Sequence, residues 1–316
     1  MNAGCEADMP RNIACVGLGL IGASWAAIFL ARGLQVIATD TDAAAWERAL
    51  PAIEKDIADL REIGPVAEGW RARLRFEPAL ADAVRDADFV QENGPESLTV
   101  KEELLAAIDR SAPPAAVIAS STSGIPMTRL QQACQRPERC IVGHPFTPVH
   151  LVPLVEVVSG AATSRDTAAR AAAFYRNIGK DVVEVRRDVP GFIGNRFQAV
   201  VLQEALSLVK AGIATVEEVD QAFVKGPGFR WACYGPFALA AFSAGEKGLT
   251  DVLRNYHTFR DDVLASIEKV VVDETLVDRI EDQVAEAETF RDLKTSLIRR
   301  NADFVALLKL MRLDRL

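Results

Sequence analysis

Residues 143–158 read Gly-His-Pro-Phe-Thr-Pro-Val-His-Leu-Val-Pro-Leu-Val-Glu-Val-Val, and two of them have the chemistry of a proton-transfer pair. His144 closes one β-like run, and Glu156 sits inside the next. Imidazole titrates near neutrality, and a carboxylate that fixes its tautomer makes it an oriented general base. Pro145, Pro148 and Pro153 forbid a helix between the two. The chain has three histidines, so the pairing stands out. Upstream, Ala119-Ser-Ser-Thr-Ser123-Gly sets small hydroxyl side chains directly after an apolar run; downstream, Pro190-Gly-Phe-Ile-Gly-Asn195-Arg196 opens a long helical pattern. Ser123, His144, Glu156 and Asn195 follow one another at intervals of 21, 12 and 39. Singly, each has a plainer explanation: Ser123 and Asn195 as helix caps, Glu156 as the partner of an arginine, His144 as a hydrogen-bonded core histidine.

Such side chains need strands to deliver them. Apolar runs at 13–16, 35–39, 88–91, 116–119, 140–143, 155–158 and 182–185 alternate with mostly helical stretches. That alternation predicts an α/β domain, a mostly parallel sheet covered on both faces. From Asn195 onward apolar residues recur at three and four: Val201, Ala205, Leu208 on one line, with Leu202, Leu206, Val209 beside it. Gly212 ends that helix, Thr215-Val-Glu-Glu218 offers a capping box for the next, and Gly226-Pro-Gly228 stops it. Only Val270–Val272 reads as a possible strand in this half. The composition shift at Asp188-Val-Pro-Gly191 therefore divides a Rossmann-type domain, residues 1–189, from an all-α domain, residues 190–316.

The first run leads into Gly17-Leu-Gly19-Leu20-Ile21-Gly22, and Asp40 ends the second run 18 residues after the last glycine. In a strand–turn–helix the first glycine makes the turn. The second lets a diphosphate approach the backbone, and the third lets helix and strand pack closely. The helix N-terminus, with Leu20 and Ile21 in its first turn, faces the phosphates. Asp40 then accepts from the adenosine ribose, and the neighbouring acid Asp42 disfavours a 2′-phosphate, so the cofactor is expected to be NAD. The plain alternative is a tight βα turn without a ligand.

Glycine loop and spaced polar set together resemble the L-3-hydroxyacyl-CoA dehydrogenase superfamily over residues 12 to about 245. The Ser-Ser-Thr-Ser run, Gly-His-Pro-Phe-Thr-Pro, Pro-Leu-Val-Glu-Val-Val and Gly-Phe-Arg-Trp-Ala-Cys-Tyr-Gly-Pro-Phe look most like the branch of lambda-crystallin, L-gulonate 3-dehydrogenase and carnitine 3-dehydrogenase. A basic last helix, with Ile298-Arg-Arg300 and Leu307–Arg312, agrees with that branch. The resemblance implies NAD-dependent oxidation of a free 3-hydroxy acid, with His144 as base, Glu156 as its orienting partner, and Ser123 and Asn195 at the reacting oxygen. It also implies that Glu96 and Lys101, five apart as in the family, lie with Ser123 near the nicotinamide ribose. Carboxylates in the segment after Asp40 disfavour a CoA phosphate. Thr147 replaces a usual asparagine near the nicotinamide, and Gly124 replaces a serine of the CoA-using enzymes. Two alternatives remain open: an L-3-hydroxyacyl-CoA dehydrogenase, and a non-catalytic NAD-binding structural protein of lambda-crystallin type. A homodimer through the helical domain is implied by the resemblance alone.

Arg230 is a candidate for binding a substrate carboxylate, because guanidinium binds carboxylate as a fork; a salt bridge is the competing explanation. Trp231, Tyr234 and Phe237 suit either a pocket wall or a contact between protomers. His150 and His257 have no partner visible in sequence and are read as surface or structural residues. With a net charge of −8 over 316 residues, non-specific nucleic-acid binding is disfavoured. Residues 291–315 carry seven basic and three acidic side chains, best read as a solvated or dimer-interface helix. No run is apolar enough to span a membrane, and the N-terminus lacks the basic and apolar regions of a signal peptide. Five cysteines without C-x-x-C spacing suit free thiols in a reducing cytoplasm and offer no metal site.

Overall fold

The computed structural model describes residues 9–254, 257–286 and 292–313. They form two units, one reaching Asn195 and resuming at Ile298, the other Arg196–Leu297.

The first unit is built on one sheet of eight strands: β1 Asn12–Val16, β2 Gln35–Thr39, β3 Leu74–Phe76, β4 Phe89–Glu92, β5 Val117–Ser120, β6 Cys140–Pro145, β7 Leu154–Ser159 and β8 Asp181–Val185. Their spatial order is β3-β2-β1-β4-β5-β6-β7-β8. All neighbours run parallel except β6 and β7. Strand order reverses between β1 and β4, which opens a crevice at the carboxyl ends of the strands. The central strands β4, β5 and β6 are buried along their whole length, as expected of strands covered on both faces.

Helices α1 Leu20–Ala31, α2 Ala45–Ile63, α3 Leu80–Val84, α4 Leu98–Ser111, α5 Met127–Leu130 and α6 Arg165–Asn177 cover the sheet. One face is filled by Trp25 and Phe29 of α1, Phe89 of β4, and Phe174 and Tyr175 of α6. Phe89 and Phe174 lie 4.3 Å apart, and Trp25 stacks on Phe29 at 5.4 Å. The other face packs Val84, Leu105, Ile108, Met127, Leu130 and Phe192. The strand β3 has no counterpart in the sequence reading. Three residues with Arg75 in the middle are too short to show a period.

Helix α7, Gly194–Lys210, opens the second unit. It is followed by α8 Val216–Phe223, α9 Phe229–Trp231, α10 Pro236–Ala244, α11 Gly248–Arg254, α12 His257–Ser266 and α13 Glu274–Glu286. Thr215 and Glu218 form the capping box expected for α8. Val270–Val272 is not a strand: residues 267–273 carry no regular structure, and no strand lies among the described residues of this unit to pair with them. The last helix, α14 Leu293–Leu313, belongs to the first unit from Ile298 onward, where Asn301 donates to Asp59 at 2.8 Å and Lys309 pairs with Glu62. The composition change at 189/190 thus lies close to the unit break at 195/196, whereas the return of the last helix rests on contacts about 240 residues apart in sequence.

Candidate active site

β6 and β7 are the antiparallel pair of the sheet, and their register sets His144 directly opposite Glu156. The His144 Nδ1 lies 2.8 Å from Glu156 Oε2, both side chains being buried. The other carboxylate oxygen, Oε1, accepts the backbone N–H groups of Ile193 and Gly194 at 2.9 Å each. Burial opposes ionisation of Glu156, but the hydrogen bonds from His144, Gly194 and Ile193 outweigh it and hold the carboxyl below its ordinary value. An ionised Glu156 accepts from Nδ1–H, which leaves Nε2 as the basic nitrogen of His144.

Two aromatic rings wall the imidazole, Phe146 at 4.7 Å and Phe192 at 5.5 Å. Phe192 adopts φ of 50°, a left-handed conformation uncommon for a bulky residue, and turns the chain so that the next two N–H groups reach Glu156. Thr147 is exposed and precedes a cis peptide bond to Pro148.

Ser123 lies on the exposed loop after β5. Its hydroxyl and its N–H both donate to Glu96 Oε1, at 3.3 and 3.0 Å, and that oxygen also accepts from the Thr122 hydroxyl and the Gly124 N–H. Asn195 donates from Nδ2 to the Ser123 carbonyl at 2.7 Å, which ties the start of α7 to this loop. Glu96 is therefore the organiser of the serine loop. Lys101, by contrast, is buried, and its ammonium is taken by Glu92 at 3.0 and 3.1 Å and by the Gly94 carbonyl at 3.1 Å; Glu96 is a longer contact at 3.8 Å.

Glu92 was not singled out from sequence. It ends β4, buried, and binds Ser120 as well as Lys101. Its neighbour Asn93 accepts from the Ser121 hydroxyl at 2.7 Å. The usable signal was Gln91-Glu92-Asn93, three polar residues at the carboxyl end of a buried parallel strand. Of the two readings of His150, the structural one holds. It is buried rather than partnerless, with Nδ1 within 3.1 Å of Asp56 and 3.0 Å of Ser24, and Nε2 within 3.1 Å of Asp59. Those partners come from α1 and α2, more than 90 residues earlier, so spacing could not reveal them. The side chain of His257 lies outside the described residues. Arg230 is an exposed residue of α9 in the second unit. Trp231, Tyr234 and Phe237 are exposed too.

The crevice between β1 and β4 holds a groove of about 650 Å³, lined by Gly17, Gly19, Thr39, Asp40, Asn93, Gly94 and Leu104 among others. Gly17 has φ of 89°, and a Cβ there would lie 2.8 Å from the Asn93 backbone; one at Gly22 would collide with the Gly17 carbonyl. A Cβ at Gly19, however, would meet nothing within 4 Å, so the loop is open on its ligand side. No side chain caps α1, and the first-turn N–H groups of a helix, here Leu20 and Ile21, lack intrahelical partners. Asp40 accepts from the Leu18 N–H at 2.6 Å and the Asp42 N–H at 2.9 Å, which sets its carboxylate at the rim of the groove. Asp42 in turn pairs with Arg48. Open backbone donors, room for phosphate and an acid at the rim fit an NAD dinucleotide.

Comparison with known proteins agrees. Residues 12–189 match the family model "3-hydroxyacyl-CoA dehydrogenase, NAD binding domain", and residues 191–290 match "3-hydroxyacyl-CoA dehydrogenase, C-terminal domain". An L-carnitine dehydrogenase of Streptomyces griseus is 40% identical over 97% of this chain and 92% of its own. That of Nocardiopsis dassonvillei is 46% identical over 81% of this chain and 78% of its own. The crystal structure of 5-formyl-3-hydroxy-2-methylpyridine 4-carboxylic acid 5-dehydrogenase, an NAD+-dependent dismutase, superimposes with a TM-score of 0.84 at 32% identity, covering 96% of this chain and 99% of that one. The chain belongs to the 3-hydroxyacyl-CoA dehydrogenase family, and it is an NAD-dependent oxidoreductase acting on CH–OH groups.

Proposed function

We propose that the protein oxidises the 3-hydroxyl of a small free 3-hydroxy acid of the L-carnitine type to the 3-keto acid, with His144 as general base. The observation that carries the reaction is the buried His144–Glu156 pair, whose carboxylate is fixed from its far side by two backbone N–H groups. Nε2 takes the hydroxyl proton, and the imidazolium so formed is held by Glu156, which stays ionised throughout. Bound NAD supplies the hydride acceptor. Ser123 and Asn195 serve the reacting oxygen, supported by the hydrogen bond that holds them side by side. Gly17, Gly19, Leu20, Ile21 and Gly22 take the diphosphate, and Asp40 the adenosine ribose. Glu96 and Ser123 serve the nicotinamide side. Lys101 acts there by fixing Glu92 and Gly94, because its ammonium is already engaged.

The carnitine-type substrate is supported by the two L-carnitine dehydrogenases above. Four carboxylates of α2 are engaged, Glu54 by Arg71, Asp56 and Asp59 by His150 and Glu62 by Lys309, so they oppose a CoA phosphate less than their number in the sequence suggests. NADH formation from L-carnitine, L-gulonate and 3-hydroxybutyrate, set against 3-hydroxybutyryl-CoA, tests the reading. Turnover confined to the thioester overturns it.

The protein acts in the cytoplasm as a homodimer through its helical unit. Supporting the dimer, Val200, Leu202, Ile213, Phe229 and Phe237 are each at least 60% exposed, an apolar surface that one unit leaves open. Light scattering at micromolar concentration checks the mass. Among the described residues no helix is long and apolar enough to cross a membrane.

A further inference from the structure

We propose that Cys134 and Cys140 are a modification site, forming a reversible intramolecular disulfide when the protein meets a peroxide. The two sulfurs already touch, at 3.6 Å. Cys134 is half-buried, in the loop between the 3-10 turns Gln131–Ala133 and Pro137–Arg139, so a small oxidant can reach it. Cys140 is fully buried at the first position of β6, behind its partner.

The intervening loop is clamped, so the thiols do not meet by chance fluctuation. Asp109 at the end of α4 accepts the N–H groups of Gln135 at 2.7 Å and Arg136 at 3.2 Å on one oxygen, and Arg139 Nε at 2.8 Å on the other. Cys140 is fixed by its register with Ile118 and by the Thr163 hydroxyl on its carbonyl at 2.6 Å. Closing from 3.6 Å to the disulfide length of about 2.05 Å leaves the two sulfurs about 1.5 Å to cover. Such fixed proximity gives an intramolecular step a high effective concentration.

The two thiols are also unequal. The Cys140 S–H donates to Cys134, which holds the Cys134 thiol below its ordinary value. The same hydrogen bond, together with burial, pushes Cys140 up. Cys134 is thus the attacking thiolate and Cys140 the resolving thiol. In the first step the Cys134 sulfur forms an S–O bond as the peroxide O–O bond breaks, giving a sulfenic acid and water. The Cys140 sulfur then attacks the Cys134 sulfur. An S–S bond forms, the S–O bond breaks, and the Cys140 proton leaves in a second water. Two thiols lose two electrons and one peroxide gains them.

Cys140 lies four residues from His144 along β6, about 13 Å at the usual strand rise. The crosslink therefore leaves the catalytic pair in place. Its consequence is to stop Cys134 at a reducible state instead of the sulfinic acid.

The test treats the full-length protein with hydrogen peroxide at neutral pH, followed by iodoacetamide and trypsin. Cleavage separates residues 130–139 from 140–165, so the bond appears as a crosslinked peptide pair. The pair is expected to form with turnover retained, to vanish on dithiothreitol, and to be absent in Cys134→Ser. In Cys140→Ser, Cys134 should advance to sulfinic acid at the same peroxide dose. Recovery of both peptides separately alkylated, or Cys134 oxidised to sulfinic acid in the unmutated protein, overturns the proposal. So does a crosslink that appears only after denaturant is added. Exposed Cys233 serves as the reference thiol.

Discussion

His144 and Glu156 face each other across the antiparallel step of an otherwise parallel sheet, 2.8 Å apart. The reversal of β7 is what lets two residues twelve apart become cross-strand neighbours with side chains on the same face. A parallel β7 would need a crossover of a dozen or more residues and could not bring them together. The pair then depends on its charge state. His144→Ala should lower kcat by about 10²–10⁴-fold, the usual range for general-base loss, while NAD binding measured by fluorescence stays intact. Glu156→Gln should also lower kcat, by on the order of 10²-fold, because an amide no longer selects the Nδ1–H tautomer. Wild-type turnover in Glu156→Gln would remove the carboxylate from the mechanism.

Glu156 also links stability to acid. Its folded value lies below the ordinary 4.5, so the unfolded chain binds its proton first as pH falls. The stabilisation is complete above about pH 4.5 and is lost as pH drops through the lower, folded value. The melting-temperature gap between wild type and Glu156→Gln should therefore narrow on going from pH 7 to pH 3. A gap independent of pH contradicts the assignment.

Lys180 carries the opposite charge into the interior. Burial pushes its ammonium down from 10.5 to about 7, with Arg32 adding to the effect. Its amine donates to the carbonyls of Val149 and Val152 and lies 5.6 Å over the Trp25 ring. Between about pH 7 and 10.5 the unfolded chain holds a proton that the folded chain does not, so stability from this group rises with pH. The slope is at most about 1.4 kcal/mol per pH unit. Urea unfolding of wild type and Lys180→Met at pH 7, 8 and 8.5 should show a difference that grows with pH in favour of wild type. A constant difference shows that Lys180 keeps its proton.

Much of this was legible in the chain because the signals are local. The glycine loop, Asp40 and the alternation of strand and helix lie within windows where period and turn chemistry operate, and Thr215–Glu218 capped its helix as written. His144 and Glu156 were readable because a two-strand step is short. Glu92, His150 and Cys140 were not, since what defines them is a partner elsewhere: Lys101 across the β4–α4 turn, Asp56 and Asp59 on α2, Cys134 beyond a clamped loop. The run Val270–Val272 misled because β-branched residues mark a strand only where a partner strand exists, and Val271 and Val272 are instead more than half exposed.

Coenzyme choice should be movable at two residues. Asp40 stands at the groove rim, and Asp42 neutralises Arg48 on the first turn of α2. The double variant Asp40→Ser, Asp42→Asn removes the charge that repels a 2′-phosphate and frees a guanidinium that can bind it. The ratio of kcat/KM for NAD over NADP should fall by about tenfold or more, equivalent to 1.4 kcal/mol of differential binding. An unchanged ratio places the adenosine ribose elsewhere.

Gly194 is a tight point of the active-site frame. A Cβ built there lies 2.2 Å from the Phe146 ring, which in turn makes an edge contact with the His144 ring. Its N–H is one of the two that hold Glu156. Gly194→Ala must therefore displace either the ring or the turn, and each displacement reaches the catalytic pair from a different side. Overpacking of this kind costs about 1–3 kcal/mol, so the melting temperature should drop by several degrees. The kcat loss should exceed any change in KM for NAD, because the dinucleotide groove lies at β1 and β4, not at this turn. Gly22→Ala is the contrasting variant: its Cβ meets the Gly17 carbonyl, so it should raise KM for NAD, and a Gly194→Ala enzyme with that same signature would contradict the division of labour between groove and turn.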